Sequence, residues 1–208
     1  MQVYPRSIGL IPDGTRRWAK RQSVGLVEAY ARSILVLRRV VSYLLDTGVS
    51  YLYIYGLSME NCVSRARESL SALDVAVRRL APSLIEELEA RGAHVVFVGD
   101  LARAPRGVAQ IAMGRLLRPG EIPDPPVVII AVCYSALVEP GCLGYTRSLP
   151  KIDLIYRSGG YRRLSGFFPI LSDYAELYFD DVLWPEVDVE RVKRALEWYS
   201  GVKRNFGR

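Results

Sequence analysis

One histidine, His94, and three cysteines, Cys62, Cys133 and Cys142, are all that this 208-residue chain offers to soft metals. None of the four stands at metal-ligand spacing, which excludes a zinc centre, and an odd cysteine count argues against a disulfide framework. No run of 18 apolar residues and no N-terminal signal pattern occur, so the chain reads as soluble and cytoplasmic, with any membrane contact peripheral. RNA-module signatures and helices with spaced base-reading side chains are also missing, which argues against nucleic acid as a partner and leaves generic binding as a weak alternative. Amides are scarce, with two Asn and three Gln, and arginine outnumbers lysine, a composition met in heat-adapted proteins. What is present is globular: 50% hydrophobic and 24% charged residues with a formal charge of +6. That balance fits a single domain over residues 1–208 with its own core, and it favours anionic partners.

Apolar patterning alternates between strand and helix. Strands are predicted at Ile8–Pro12, Tyr51–Tyr55, His94–Val98, Val127–Val132, Ile152–Tyr156 and Glu176–Phe179. Apolar residues at helical spacing (Val27, Ile34, Leu37, Val41, Leu45) predict one long helix from Arg16 to Leu45, stopped by Gly48. Further helices are predicted at Glu68–Ala90, Gly107–Leu117 and Val189–Tyr199. Pro119–Pro126 and Glu139–Pro150 read as loops. The alternation predicts an α/β fold, a central mainly parallel sheet wrapped by helices, with ligands beyond the carboxyl ends of the strands.

Two clusters stand just after such strands. Arg157, Ser158, Gly159, Gly160, Arg163 and Ser165 combine forked cationic donors with backbone freed of Cβ atoms, a combination suited to phosphate. A solvated basic turn is the plainer reading of the same residues. Asp13, Gly14, Thr15, Arg16 and Arg17 form the turn into the first helix, where Gly14 permits a sharp bend and Thr15 is placed to cap. Helix-start N–H groups and two arginines there suit a diphosphate. Asp13 would repel phosphate unless a divalent cation such as Mg²⁺ bridged them. Taken alone, it is equally a turn or N-cap aspartate.

Together these segments resemble the cis-prenyltransferases, the undecaprenyl diphosphate synthase-like family. IPDGTRRWAK is similar to that family's MDGNxRWA, YIYGLSMENC to LYAFSxENW, DLIYRSGGYRRLSGF to DLxIRTGGxxRxSNF, and YAELYFDDVLWP to YAELYFxDxxWP. The resemblance implies a mainly parallel sheet wrapped by helices around an apolar product tunnel. It also implies a homodimer and Mg²⁺-dependent condensation of isopentenyl diphosphate onto an allylic diphosphate. By motif position, Asp13 is the essential carboxylate at the metal, and Gly14, Thr15, Arg16, Arg17 and Trp18 belong to the allylic diphosphate cradle. Arg157, Arg163 and Ser165 hold the second diphosphate, Glu176 is the metal-associated glutamate, and Ser58 and Asn61 belong to the mobile segment near the reacting carbons. The tail Arg204–Gly207 resembles an RxG motif that can reach across a dimer.

The chain departs from the pattern in places. Thr15 replaces Asn, Leu26 and Tyr30 stand where an arginine and a histidine are common, Cys62 replaces Trp, and Gly166 replaces Asn. The segment 134–152 is short. These departures leave three readings open: an active homodimer, one subunit of a heteromeric enzyme, and a non-enzymatic polyprenyl or nucleic-acid binder, which basicity supports and the carboxylates in both motifs oppose. The trans class needs aspartate-rich DDxxD helices, whereas Asp180-Asp181 reads as a structural turn before Trp184. Ile34, Val41, Leu70, Leu73, Val77, Leu80 and Leu84 are candidates for core or tunnel wall. Arg65, Arg67, Arg78, Arg79 and Arg91 read as a solvated face, with contact to anionic lipid as the sharper alternative.

Overall fold

A computed structural model of the chain describes residues 4–118, 120–135 and 148–203. Cys142, the tail 204–208 and most of the short 134–152 segment lie outside the described residues. The elements are β1 (Ser7–Ile11), α1 (Thr15–Gln22), α2 (Leu26–Asp46), β2 (Tyr51–Tyr55), α3 (Met59–Ser64) and α4 (Arg67–Ala90), followed by β3 (His94–Val98), α5 (Arg106–Ala112), β4 (Val127–Ala131), β5 (Leu154–Arg157), β6 (Glu176–Phe179) and α6 (Val189–Gly201). The strands form a six-stranded sheet in the order β3-β4-β2-β1-β5-β6, every pair parallel.

Both faces of the sheet are covered, so its strands read as continuous apolar runs such as SIGLI and VVIIA. Alternation then sorts the side chains. Ile8, Leu10, Leu52, Ile54 and Val128 join the core shared with α2, α4 and α6. Ile11, Tyr53, Tyr55, Val127, Ile129 and Ile155 join a second core with Phe167, Phe168 and Leu171. Gly9 is required in β1, because a Cβ there would lie 2.6 Å from Phe167 Cε1.

The expected single helix over Arg16–Leu45 is two helices. Ser23 adopts left-handed φ 53° and the Val24 N–H closes back to the Ala19 carbonyl at 3.1 Å, a C-terminal closure that ends α1. Gly25 then starts α2 as its N-cap. Periodicity persists across the break, but the chain re-aims there. α5 likewise stops at Ala112, short of the predicted Leu117, because Leu116 bridges to Phe97 beside β3.

The expectation against disulfides is corrected: Cys62 and Cys133 are bonded, with Cα atoms 5.6 Å apart. Their proximity follows from topology. Cys62 lies on α3, just after β2, Cys133 lies just after β4, and β2 and β4 are sheet neighbours. A sequence separation of 71 residues hides this from any spacing rule. Among the described residues, no helix is long and apolar enough to cross a membrane.

Candidate active site

The carboxyl ends of β1 and β5 are adjacent, with Ile11 in register with Arg157. The loops leaving them therefore meet. Ser158 ties them together: the Asp13 N–H donates to its Oγ and that hydroxyl donates to the Asp13 carbonyl, both at 3.1 Å. Gly159, at φ 91°, allows an approach so close that a Cβ would sit 2.8 Å from Arg17 Nη2 and 2.9 Å from the Asp13 carbonyl oxygen.

Asp13 lies between two arginines. Its Oδ2 accepts from Arg157 Nη2 at 2.9 Å and its Oδ1 from Arg17 Nη2 at 3.2 Å. The Arg157 side chain is only 4% exposed, against 30% for that of Asp13. Arg157 Nη1 reaches Ser165 Oγ at 3.1 Å and also bonds the Arg163 carbonyl, while its Nε is buried without a partner. Arg157 thus braces the carboxylate of one loop against the far end of the other. Tyr55 adds a second brace, its hydroxyl donating to the Ser165 carbonyl at 2.9 Å. Burial raises the Tyr55 pKa, so it stays a neutral donor.

Gly14, at φ 110°, is the N-cap of α1. Thr15 is the first helical residue rather than the cap, a correction to the expected capping role. Its Oγ1 lies 2.8 Å from Ser33 Oγ, and because Ser33 donates to the Ala29 carbonyl, Thr15 is the donor of the pair. The α1 N-terminus has no side-chain cap and no acidic first turn, leaving its N–H groups for an anion.

These residues form the mouth of a cavity of about 910 Å³. Asp13, Gly14, Thr15, Arg16, Arg17, Ser58, Asn61, Arg157, Arg163 and Ser165 all line it. Beyond them the wall becomes apolar: Ile34, Leu37 and Val41 of α2, Leu73, Val77, Ala81 and Leu84 of α4, then Phe97, Val108 and Ile111. From β1 to β3 is three strand steps, so the apolar end lies about 14 Å from the charged mouth. Leu70 and Leu80 are not among the lining residues.

Two expected members are not brought to the site. Trp18 does not line the cavity. At about 100° per helical residue, Arg16, Arg17 and Lys20 share an arc that Trp18 leaves. Glu176 opens β6 in register with Leu154, three residues below Arg157 and so about 10 Å from the carboxyl ends. Asp180 serves structure, accepting from the Tyr156 hydroxyl at 2.7 Å and from Arg191 at 3.2 Å.

Sequence reasoning also missed residues. Of the five arginines expected on a solvated face, Arg67, Arg78, Arg79 and Arg91 are exposed. Arg65 instead lines the cavity with its Nε buried and unpartnered. Its Nη1 donates to the Tyr30 hydroxyl at 3.4 Å, which pairs with Ser69 Oγ at 2.8 Å. Burial pushes the Arg65 pKa down. Tyr30 and Leu26 stand where basic residues are common, and the fold brings the Arg65 guanidinium against the Tyr30 hydroxyl. Tyr161 and Glu60 also line the mouth.

Among the described residues no three His, Cys, Asp or Glu side chains gather to hold a metal. The donor set fits Mg²⁺ in the other common way, one carboxylate with substrate oxygens completing the shell. Of the carboxylates that line the mouth, Asp13 is the one at the joint of the two anion-binding loops, where it could do so.

A family profile described as "Putative undecaprenyl diphosphate synthase" matches residues 11–139 and 142–207. A "Tritrans,polycis-undecaprenyl-diphosphate synthase (geranylgeranyl-diphosphate specific)" from Aeropyrum pernix is 39% identical, over 98% of this chain and 99% of that one. A "Ditrans,polycis-undecaprenyl-diphosphate synthase ((2E,6E)-farnesyl-diphosphate specific)" from Xanthomonas axonopodis pv. citri is 30% identical, over 99% and 89%. The crystal structure of lavandulyl diphosphate synthase from Lavandula x intermedia superposes with a TM-score of 0.83 over the whole of both chains at 23% identity, a likeness of fold.

Proposed function

The chain belongs to the undecaprenyl diphosphate synthase family, and on that premise we propose that it is a cis-prenyltransferase, condensing isopentenyl diphosphate with an allylic diphosphate to give a cis-polyprenyl diphosphate. The observation that carries this reading is the Asp13–Arg157 pair at the joint of two anion-binding loops, placed at the mouth of an apolar cavity. A charged mouth for two diphosphates and an apolar space for a growing hydrocarbon are what the reaction needs.

The allylic diphosphate binds at the start of α1, its oxygens meeting the free N–H groups and Arg16 and Arg17. Isopentenyl diphosphate binds to Arg163 and Ser165, whose loop Arg157 and Tyr55 hold in place. Fixing both diphosphates sets the terminal alkene carbon of one substrate against C1 of the other. The allylic C1–O bond breaks, the new C–C bond forms, and the isopentenyl C2 proton is lost. Arg17 and the helix-start N–H groups stabilise the charge gathering on the departing diphosphate. Ser58 and Asn61 relay the proton towards a diphosphate oxygen. The Ser58 oxygen accepts the Asn61 N–H at 3.2 Å and its side chain also meets the Tyr55 hydroxyl, which holds it in place at the cavity wall. Mg²⁺, held by Asp13 and substrate oxygens, would supply charge neutralisation at the leaving diphosphate. Glu176 is too far down the sheet to share that ion within one protomer.

The proposal includes a homodimer. Ile170, Tyr174, Leu177 and Trp198 are exposed apolar side chains on or near the edge strand β6, a surface suited to a second copy. It also includes a cytoplasmic enzyme whose basic exposed side chains meet anionic lipid peripherally when product leaves. Nothing in the comparisons favours a heteromer over this arrangement.

The test is incubation of the protein alone with farnesyl or geranylgeranyl diphosphate, labelled isopentenyl diphosphate and Mg²⁺, beside Asp13→Ala. Polyprenyl product that requires both Mg²⁺ and Asp13 supports the reading. Folded protein that makes none overturns it.

A further inference from the structure

After Gly159 and Gly160, both at positive φ, the chain turns back and carries Tyr161 over the mouth of the cavity. Three guanidinium groups gather about its ring. The Cζ of Arg163 lies 4.2 Å from the ring centroid, that of Arg17 4.7 Å and that of Arg157 5.9 Å. Arg17 belongs to the allylic cradle and Arg163 to the isopentenyl cradle, so one aromatic side chain touches both anion sites. Among the described residues Arg163 forms no ion pair with a carboxylate, which leaves the ring as its holding contact. Like charges gathered about one ring repel each other, and of the two only Arg17 has a carboxylate partner, Asp13, at 3.2 Å. The negative face of an aromatic ring offsets that repulsion and keeps planar forks in fixed orientation.

We propose that Tyr161 is a positioning residue that couples Arg17 to Arg163 and so sets the spacing between the two diphosphates. This rests on the functional reading above for the identity of the substrates, but not for the coupling itself. The phenol hydroxyl has no part in it; the π face does. Without the ring, each long side chain regains rotamer freedom that a diphosphate must then remove. Both substrates bind less well, and the reacting carbons are held less closely even at saturation.

The experiment compares the full chain with Tyr161→Leu and Tyr161→Phe. Inorganic pyrophosphate binding is followed by titration calorimetry, and steady-state constants are measured for both substrates. Tyr161→Leu is expected to weaken pyrophosphate about three- to tenfold, raise both KM values and lower kcat, while Tyr161→Phe restores what Leu loses. Arg163→Gln should cost less in the Tyr161→Leu background than in wild type, the non-additivity of a shared contact. Tyr161 is 42% exposed, so folding should survive its substitution, as thermal melting would show. Tyr161→Gln, of similar reach but without a π face, repeats the test should the Leu variant aggregate. Leu binding as tightly as wild type, or Phe failing as badly as Leu, overturns the proposal. If wild type makes no polyprenyl product, the functional reading fails, and the pyrophosphate titration still decides the role of Tyr161.

Discussion

Arg157 donates to the Asp13 carboxylate at 2.9 Å across a sequence separation of 144 residues, and the arginine is the more buried partner. Removing the carboxylate therefore leaves a cation in low dielectric with one of its bonds unmade. Asp13→Ala should cost about 1–3 kcal/mol of stability, read from urea unfolding. Its effect on chemistry should be much larger, about 100-fold or more in labelled isopentenyl diphosphate incorporation, because it also removes the carboxylate proposed to hold Mg²⁺. Arg157→Lys keeps the charge and loses the fork. It should lose activity too, since a lysine cannot reach Asp13 and Ser165 together.

Arg65 supplies a cation where Leu26 and Tyr30 leave none. Arg65→Gln should raise KM for the allylic diphosphate about tenfold, the loss of one charge-assisted hydrogen bond, with less change in KM for isopentenyl diphosphate. Tyr30→Phe should shift the same constant by a smaller factor, because Arg65 keeps its charge and loses only its orienting partner. Equal changes in both KM values would assign Arg65 to general charge rather than to one site.

The disulfide ties α3, which carries Glu60 and Asn61, to the end of β4. Reduction, or Cys62→Ser, should lower unfolding stability by about 2–4 kcal/mol. It should also raise KM, as the restraint on the mouth is released. Denatured protein should take up two more thiol labels per chain after reduction than before it.

Cavity length sets product length if the hydrocarbon grows from the mouth towards β3. Ala81 is a small residue on the α4 wall. Ala81→Phe should shorten the products, seen by separating labelled lipids by chain length, while initial rates with a short allylic primer change little.

Much of the architecture was legible in the sequence. Tyr51–Tyr55, His94–Val98 and Glu176–Phe179 have the predicted bounds, because compact apolar runs between turn residues admit few other readings. Asp13, Arg17, Arg157 and Ser165 converge as their motifs implied, since both loops leave neighbouring strands. What stayed hidden depends on the third dimension. The bend at Ser23 needs one left-handed residue that any serine could decline. Arg65 and Arg67 look alike as letters, yet one faces the cavity and the other faces water. Glu176 shares a strong motif with the site while its strand register sets it about 10 Å away. The Cys62–Cys133 bond required knowing that β4 inserts beside β2.

The order of the sheet also has a consequence for how the protein is made. Strand β1 and its Asp13 loop leave the ribosome first, while β5, with Arg157, Ser158 and the glycines that receive that loop, follows some 140 residues later. Until β5 takes its place against β1, the nascent chain carries the Asp13 loop without the arginine, serine and glycines that receive it. The second cradle and the Arg157 brace on Asp13 exist only in the completed sheet, so a diphosphate that touches both loops would stabilise the finished fold by mass action.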